Sequence, residues 1–291
     1  MKKLPFKQLR HSLTTPFVKL VILATACSPR FINKLNASIW GYILSIVPLP
    51  SNKTIKLNQK KISHIKFSTR KVYTCVLNNY FDFFYLSYRN KAKFNKIVKI
   101  KGIEHLTRAQ EENNGIIAIT AHLGPWELLP RALKQSGFDI AVIGRALKQQ
   151  SVSNILEKLR QKPGVITIDR DKAVTPIIRN LKKNNIVGML IDQATRGVQN
   201  EQINFLGKPA PTPVSPALFA KKLNTPIVTM HIKQNTDSTY LLIIDEPFFP
   251  KPEDTTEQIL TLLNNRISNW ITEAPNSWVW FHKRWKKIKK T

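Results

Sequence analysis

From Ile97 onward the chain repeats one texture: a short run of β-branched and aliphatic residues, a turn, then a stretch with helical spacing. The runs cover 97–101, 116–120, 139–143, 165–168, 186–191, 226–232 and 240–245, and the helical stretches between them cover 126–135, 151–161, 174–183 and 216–223. Parallel neighbours in a sheet need a long crossover, usually a helix. This alternation therefore predicts an α/β fold with a largely parallel sheet flanked by helices. Ile259, Leu262, Leu263, Arg266, Ile267 and Trp270 repeat at helical spacing and predict one more amphipathic helix. Hydrophobic residues make up 42% of the 291, enough for a core, which excludes a mainly disordered chain. Cys27 and Cys75 are too few for a disulfide framework or a tetrahedral metal site and suit a reducing compartment. No metal and no cofactor is expected.

In open α/β sheets ligands bind beyond the carboxyl ends of the strands. The segment IIAITAHLGPWELL, 116–129, places His122 in the turn after a strand and Glu127 in the first turn of the following helix. A histidine there can take a proton near neutral pH, and a carboxylate on its other nitrogen would orient it. Gly124 permits a tight approach between the two. Read from these residues alone, the pair suits a general base and equally a hydrogen-bonded loop histidine.

Further motifs extend the pattern: KGIEHL at 101–106, HLGPWEL at 122–128, Arg145 in IGRALK, Arg160 four residues before Gly164, Asp192 and Gln193 at a strand end, NFLGKPAPTP at 204–213, and PNSWVWFHKRWK at 275–286. In order and spacing these resemble the bacterial lipid A biosynthesis acyltransferases, the late lauroyl/myristoyl enzymes, whose hallmark is a histidine, four residues, then an acid. The chain departs at Pro125, where that family usually has Asn, and at Lys233, where Arg is common. The resemblance implies a glycerol-phosphate-acyltransferase-like fold. It also implies an O-acyltransferase in which His122 is the general base and Glu127 orients it. A fatty acyl chain would move from acyl carrier protein to a hydroxyl of a lipid A precursor. Gly124, Arg145, Arg160, Asp192 and Gln193 become candidate substrate-binding residues. Backbone N–H groups near Gly124, or an arginine, would meet the oxyanion. Arg170, in the charged run 169–172, reads as a surface salt bridge, and 278–285 as a final strand with Trp285 at a lipid interface. The alternatives are another lipid acceptor or acyl-coenzyme A as donor.

Charge supplies the remaining expectation. The formal net charge is +28, and no acidic residue precedes Asp82, whereas fourteen Lys and Arg do. The segments 16–27 and 37–49 in this region are apolar but shorter than the roughly 20 residues that a spanning helix needs. Residues 1–81 therefore read as a basic, helical, membrane-associating region, or as helices packed on the rest of the fold, and residues 82–291 as the α/β domain. An anionic membrane surface, at the cytoplasmic face of the inner membrane, is the expected partner. Nucleic-acid binding, the other outlet for such charge, lacks any recognition motif in the sequence.

Overall fold

The computed structural model describes residues 6–145, 149–195 and 197–286, with side chains from Thr15 onward. Ala146–Lys148 of the segment after Arg145, and the terminal lysines Lys2, Lys3, Lys287, Lys289 and Lys290, lie outside the described residues. The chain begins with helices α1 (Phe6–Cys27), α2 (Arg30–Ile46), α3 (Pro50–Lys61), α4 (Thr69–Ser87) and α5 (Lys91–Ile97). The alternating part follows: β1 (Val98–Lys101), α6 (Ile103–Gln110), β2 (Ile116–Thr120), α7 (Leu129–Gln135), β3 (Ile140–Gly144), α8 (Gln150–Gln161), β4 (Ile166–Asp169), α9 (Val174–Leu181) and β5 (Ile186–Leu190). Then come β6 (Asn200–Phe205), β7 (Lys208–Pro213), α10 (Ser215–Leu223), β8 (Ile227–Gln234), β9 (Tyr240–Ile244) and α11 (Thr256–Glu273). Thr255 and Gln258 start α11 with a reciprocal capping box, which satisfies two otherwise unpaired N–H groups.

The 7-stranded sheet runs β1-β9-β8-β2-β5-β3-β4, and every neighbouring pair is parallel except β8 and β9. The largely parallel sheet read from the alternation is thus present. Its inner strand β2 is apolar along its length because both faces are covered. Ile117 and Ile119 face the side packed by α11, whereas Ile116 and Ala118 face α6 and α7. The division at residue 81 falls inside α4. Ile55, Ile62 and Tyr73 from before it share one core with Ile119 and Trp278 from after it, so charge changes there while the core continues.

Two local expectations are corrected. The segment after α11 is not a strand: Trp278 makes one antiparallel bridge to Leu123, and the rest winds through turns to Trp285. Trp285 is not at a surface either, since only 8% of it is exposed and it packs 6.1 Å from Phe205 and 6.4 Å from Trp278 between ring centres. Residues 200–213 instead form a hairpin whose second strand carries Pro209, Pro211 and Pro213. A two-stranded ribbon has free edges, where prolines that cannot donate do no harm.

Helix α2 is inverted relative to a helix of a water-soluble body. It buries its small and polar positions Asn33, Ala37 and Gly41, while Phe31, Leu35 and Ile46 are 70%, 57% and 63% exposed. A Cβ at Gly41 would collide with Thr74 on α4, so close helix contact depends on this glycine. Arg30 pins α2 to α4 through two bonds to the Asp82 carboxylate, at 2.9 and 2.7 Å, and the Tyr240 hydroxyl donates to the same carboxylate from β9. The first acid in the chain therefore fastens the basic helices to the sheet.

Beneath α11, His231 is 8% exposed, stacks 4.6 Å from Trp270, and has no described partner at Nδ1. Burial pushes its protonation below the ordinary value of 6.5, against the pull of Asp245 and Glu273. Unfolded chains take up a proton as pH falls through that value while the folded chain resists, so stability falls with pH in this window. Melting midpoints measured across it are expected to drop on acidification, and His231→Phe should flatten the slope.

Candidate active site

The four strands β2, β5, β3 and β4 run the same way, so their carboxyl ends share one edge of the sheet. His122, Asp192, Arg145 and Arg170 follow these ends in that order. In the β2–β5 pairing Thr120 lies opposite Leu190, and two residues beyond each brings His122 level with Asp192. Nδ1 of His122 is 2.9 Å from Oδ1 of Asp192, and the His122 backbone N–H donates to Oδ2 at 3.0 Å. The indole of Trp278 donates to the same Oδ2 at 2.7 Å. Asp192 is fully buried, which pushes its carboxyl up. The imidazole, the indole N–H and the backbone N–H together outweigh burial and hold it below the usual carboxylate range. An ionised carboxylate only accepts, so Nδ1 carries the hydrogen, and in the neutral imidazole Nε2 is then the bare acceptor. The imidazole, a quarter exposed, lies in an edge-to-face contact with Trp126, their ring centres 5.3 Å apart.

Two expected roles change. Glu127 does not orient His122. The single 3₁₀ turn at Trp126–Leu128 carries it to the end of α8, where Arg160 holds it bidentately, Nε to Oε2 at 2.7 Å and Nη2 to Oε1. Burial lowers the Arg160 guanidinium's affinity for its proton, and Glu127 more than restores it. Asp192, expected among the substrate contacts, has no exposed surface and is the histidine's own partner. Gly124 is also spoken for. Its N–H donates to Ser277 O at 3.1 Å and its carbonyl accepts from Asn79 at 2.8 Å. With φ at +57° and a Cβ excluded by the Ile232 carbonyl, this position requires glycine for packing. The N–H groups of His122, Leu123, Gly124, Trp126 and Leu128 are all engaged, so no oxyanion donor is free among them.

His122 opens on a cavity of about 900 Å³ that Arg145, Arg160 and Gln193 also line. Its inner wall is apolar, with Ala118, Leu133, Ile140, Val142, Ile177 and Met189, and its polar rim adds Lys283 and Lys286. Arg170 keeps the expected salt bridge, 2.8 Å to Asp171, yet lines the cavity as well. Three further residues escaped sequence reasoning: Trp278 as a donor to Asp192, His282, and Tyr80 on α4. Burial, reinforced by Glu127, pushes the Tyr80 phenol up to about 12, so it stays a neutral donor in the cavity. One signal was available for Asp192. The buried run IVGML ends two residues before an acid, as IIAIT ends two residues before His122. Among the described residues, no group of three or more His, Cys, Asp and Glu side chains could hold a metal ion.

The Glu127–Arg160 pair is largely out of water, with Glu127 10% and Arg160 25% exposed. Removing one partner of such a pair strands the other charge, at a cost of about 3 kcal/mol. Glu127→Ala is expected to lower denaturant stability by about that amount. Adding Arg160→Met should recover most of it, and a single variant as stable as the parent contradicts the pairing.

Comparison with known proteins identifies the family. The family model described as bacterial lipid A biosynthesis acyltransferase matches residues 69–287, which include His122, Glu127, Arg160, Asp192 and Trp278. A lipid A biosynthesis acyltransferase of Haemophilus influenzae is 21% identical over 210 residues, 72% of this chain. The match spans 66% of that relative's length, just under two thirds. The 1-acyl-sn-glycerophosphate (LPA) acyltransferase of Thermotoga maritima aligns with a TM-score of 0.40 and 16% identity, covering 84% of this chain and 99% of that one. With the family model matching well over half of its length, this chain belongs to the bacterial lipid A biosynthesis acyltransferase family.

Proposed function

We propose that this protein transfers a fatty acyl chain from acyl carrier protein to a hydroxyl of a lipid A precursor at the cytoplasmic face of the inner membrane. The observation that carries the reading is a histidine, fixed in one tautomer by a buried carboxylate, facing an apolar cavity with a basic rim. The acceptor hydroxyl gives its proton to Nε2 of His122 as its oxygen attacks the thioester carbonyl. Asp192 stays ionised and stabilises the imidazolium, the part a buried aspartate plays in a catalytic triad. The tetrahedral oxyanion meets side-chain donors of the cavity, the Tyr80 hydroxyl and the Arg160 guanidinium, in place of backbone N–H groups. Collapse breaks the C–S bond, and the departing thiolate takes the proton back from His122. The apolar wall receives the hydrocarbon chain. Arg145, Arg170, Lys283 and Lys286 at the rim suit phosphate on the acceptor and acid on the carrier protein.

Membrane association rests on α1 and α2. No described helix is long and apolar enough to cross a bilayer. Yet Phe17, Leu20 and Leu23 on α1 are exposed beside Phe31, Leu35 and Ile46 on α2. Small residues against the neighbouring helix and large apolar ones outward is the arrangement of a helix surrounded by lipid. The basic excess before Asp82 adds attraction to anionic headgroups, about 1 kcal/mol for each near-surface Lys or Arg.

In membranes carrying the protein, His122→Ala should abolish transfer of labelled acyl groups from acyl carrier protein to the acceptor. Asp192→Asn should lower turnover roughly 10³- to 10⁴-fold by permitting the wrong tautomer. Undiminished transfer by His122→Ala removes the mechanism. Purified protein is expected to bind anionic liposomes with a salt-sensitive and a salt-resistant component. Phe31→Ser with Leu35→Ser should delete the resistant part at unchanged melting temperature, and full release of the parent protein by salt alone counts against insertion.

A further inference from the structure

His282 lines the cavity that holds His122 but takes no part in the chemistry above. Its backbone is fixed, because its carbonyl accepts from Asn58 Nδ2 at 2.8 Å and from the Arg284 N–H at 3.0 Å. Its ring is fixed as well, with Nε2 3.2 Å from the Ala194 carbonyl in the loop after β5. A carbonyl oxygen only accepts, so Nε2 carries the hydrogen. Burial in the first place, helped by Arg284 and His122, holds this imidazole's protonation below 6.5 in spite of Asp192 and the Ala194 carbonyl. The ring is therefore neutral at pH 7, and a neutral ring with its hydrogen on Nε2 has a bare acceptor at Nδ1. Among the described residues nothing donates to it. Exposed Lys283 and Lys286 stand beside it at the rim of the same cavity.

We propose that Nδ1 of His282 is a substrate-binding acceptor, taking an N–H or O–H that lies inward of a substrate phosphate received by Lys283 and Lys286. The proposal rests on the acyl-transfer reading. Two substrates in that reading carry this chemistry. The phosphopantetheine arm of the donor has amide N–H groups inward of its phosphate, and a phosphorylated lipid acceptor has hydroxyls so placed. His282 contributes binding and not proton transfer. His122 has a carboxylate behind it to stabilise an imidazolium, whereas His282 has a neutral carbonyl, and the fully buried Arg284 follows it in the chain.

The test compares the parent enzyme with His282→Phe, which removes the acceptor, and His282→Asn, whose Oδ1 can stand near the place of Nδ1. Initial rates are measured with acyl-carrier-protein thioester varied at fixed acceptor, then with acceptor varied at fixed thioester. Loss of one neutral hydrogen bond corresponds to a roughly tenfold change in binding. His282→Phe is expected to raise one KM by about that factor with kcat nearly unchanged, and His282→Asn to recover most of it. A rise in donor KM assigns the contact to the pantetheine arm, and a rise in acceptor KM assigns it to the lipid. Parental KM values for both substrates in His282→Phe, or equal impairment of the two variants, overturn the proposal. Should His282→Phe fail to fold, the parent protein decides the matter. With ¹⁵N-labelled histidine, the His282 Nδ1 resonance must move on adding pantetheine 4′-phosphate or the phosphorylated acceptor, and no movement with either rejects the idea. Inactivity of His122→Ala beside a normal His282→Phe removes this inference and leaves the acyl-transfer reading standing, whereas an active His122→Ala removes that reading itself.

Discussion

A carboxylate without solvent must find its hydrogen bonds inside the protein, and among the described residues Asp192 takes part in three. Two come from His122, one from the ring and one from the backbone, and the third comes from Trp278 near the end of the described chain. Burying a charge costs far more than these bonds can lose and still leave a stable site. Much of the architecture around it follows from that requirement. β2 and β5 must be neighbours in one register, the His122 turn must be tight enough to aim its N–H inward, and the chain after α11 must return to the sheet. Gly124 answers the second need and the Leu123–Trp278 bridge the third.

The same segment that completes the carboxylate's shell joins the two halves of the molecule. Asn58 on α3 donates to the carbonyls of Trp280 and His282, and Trp280 stacks 3.8 Å from Phe67. Arg284, fully buried and pushed down to about 10 by that burial, donates from Nη1 to the Pro211 carbonyl and from Nη2 to the Thr212 hydroxyl of the hairpin. The basic helices, the hairpin and the His122 turn thus meet at 276–285. A body that offers apolar side chains outward on α1 and α2 is held to the rest of the fold here, at Arg30 with Asp82, at Asn79 with Gly124, and through the shared core.

Local pattern carried the sheet almost completely, because β2 and β5 are nearly all apolar where both faces are covered and β8 is buried over its first six residues. It also carried His122, since a histidine after such a strand can be recognised by its position. It did not carry the histidine's partner. Glu127 is five residues away and Asp192 seventy, and only strand register makes the distant one the neighbour. The errors at the closing segment have one origin. Alternating Trp278, Trp280 and His282 is a strand pattern, but those side chains point into separate polar and aromatic obligations that a straight strand could not meet. The β6–β7 hairpin was hidden by its prolines, which are tolerable only because both ribbon edges are free of ladder bonds.

The placement of Trp278 has a consequence for how the protein comes into being. Synthesis runs from the amino end, so α1 and α2, with their outward apolar side chains, leave the ribosome before His122 and Asp192, and structure is acquired as the chain emerges. His122 and Asp192 are both made while the residue that completes the carboxylate's shell is still to come. A chain halted after α11 would hold His122 and Asp192 in register without the indole that completes the carboxylate's shell. The His122–Asp192 arrangement is therefore complete only once the chain has been made past Trp278, well after the outward apolar side chains of α1 and α2 have emerged.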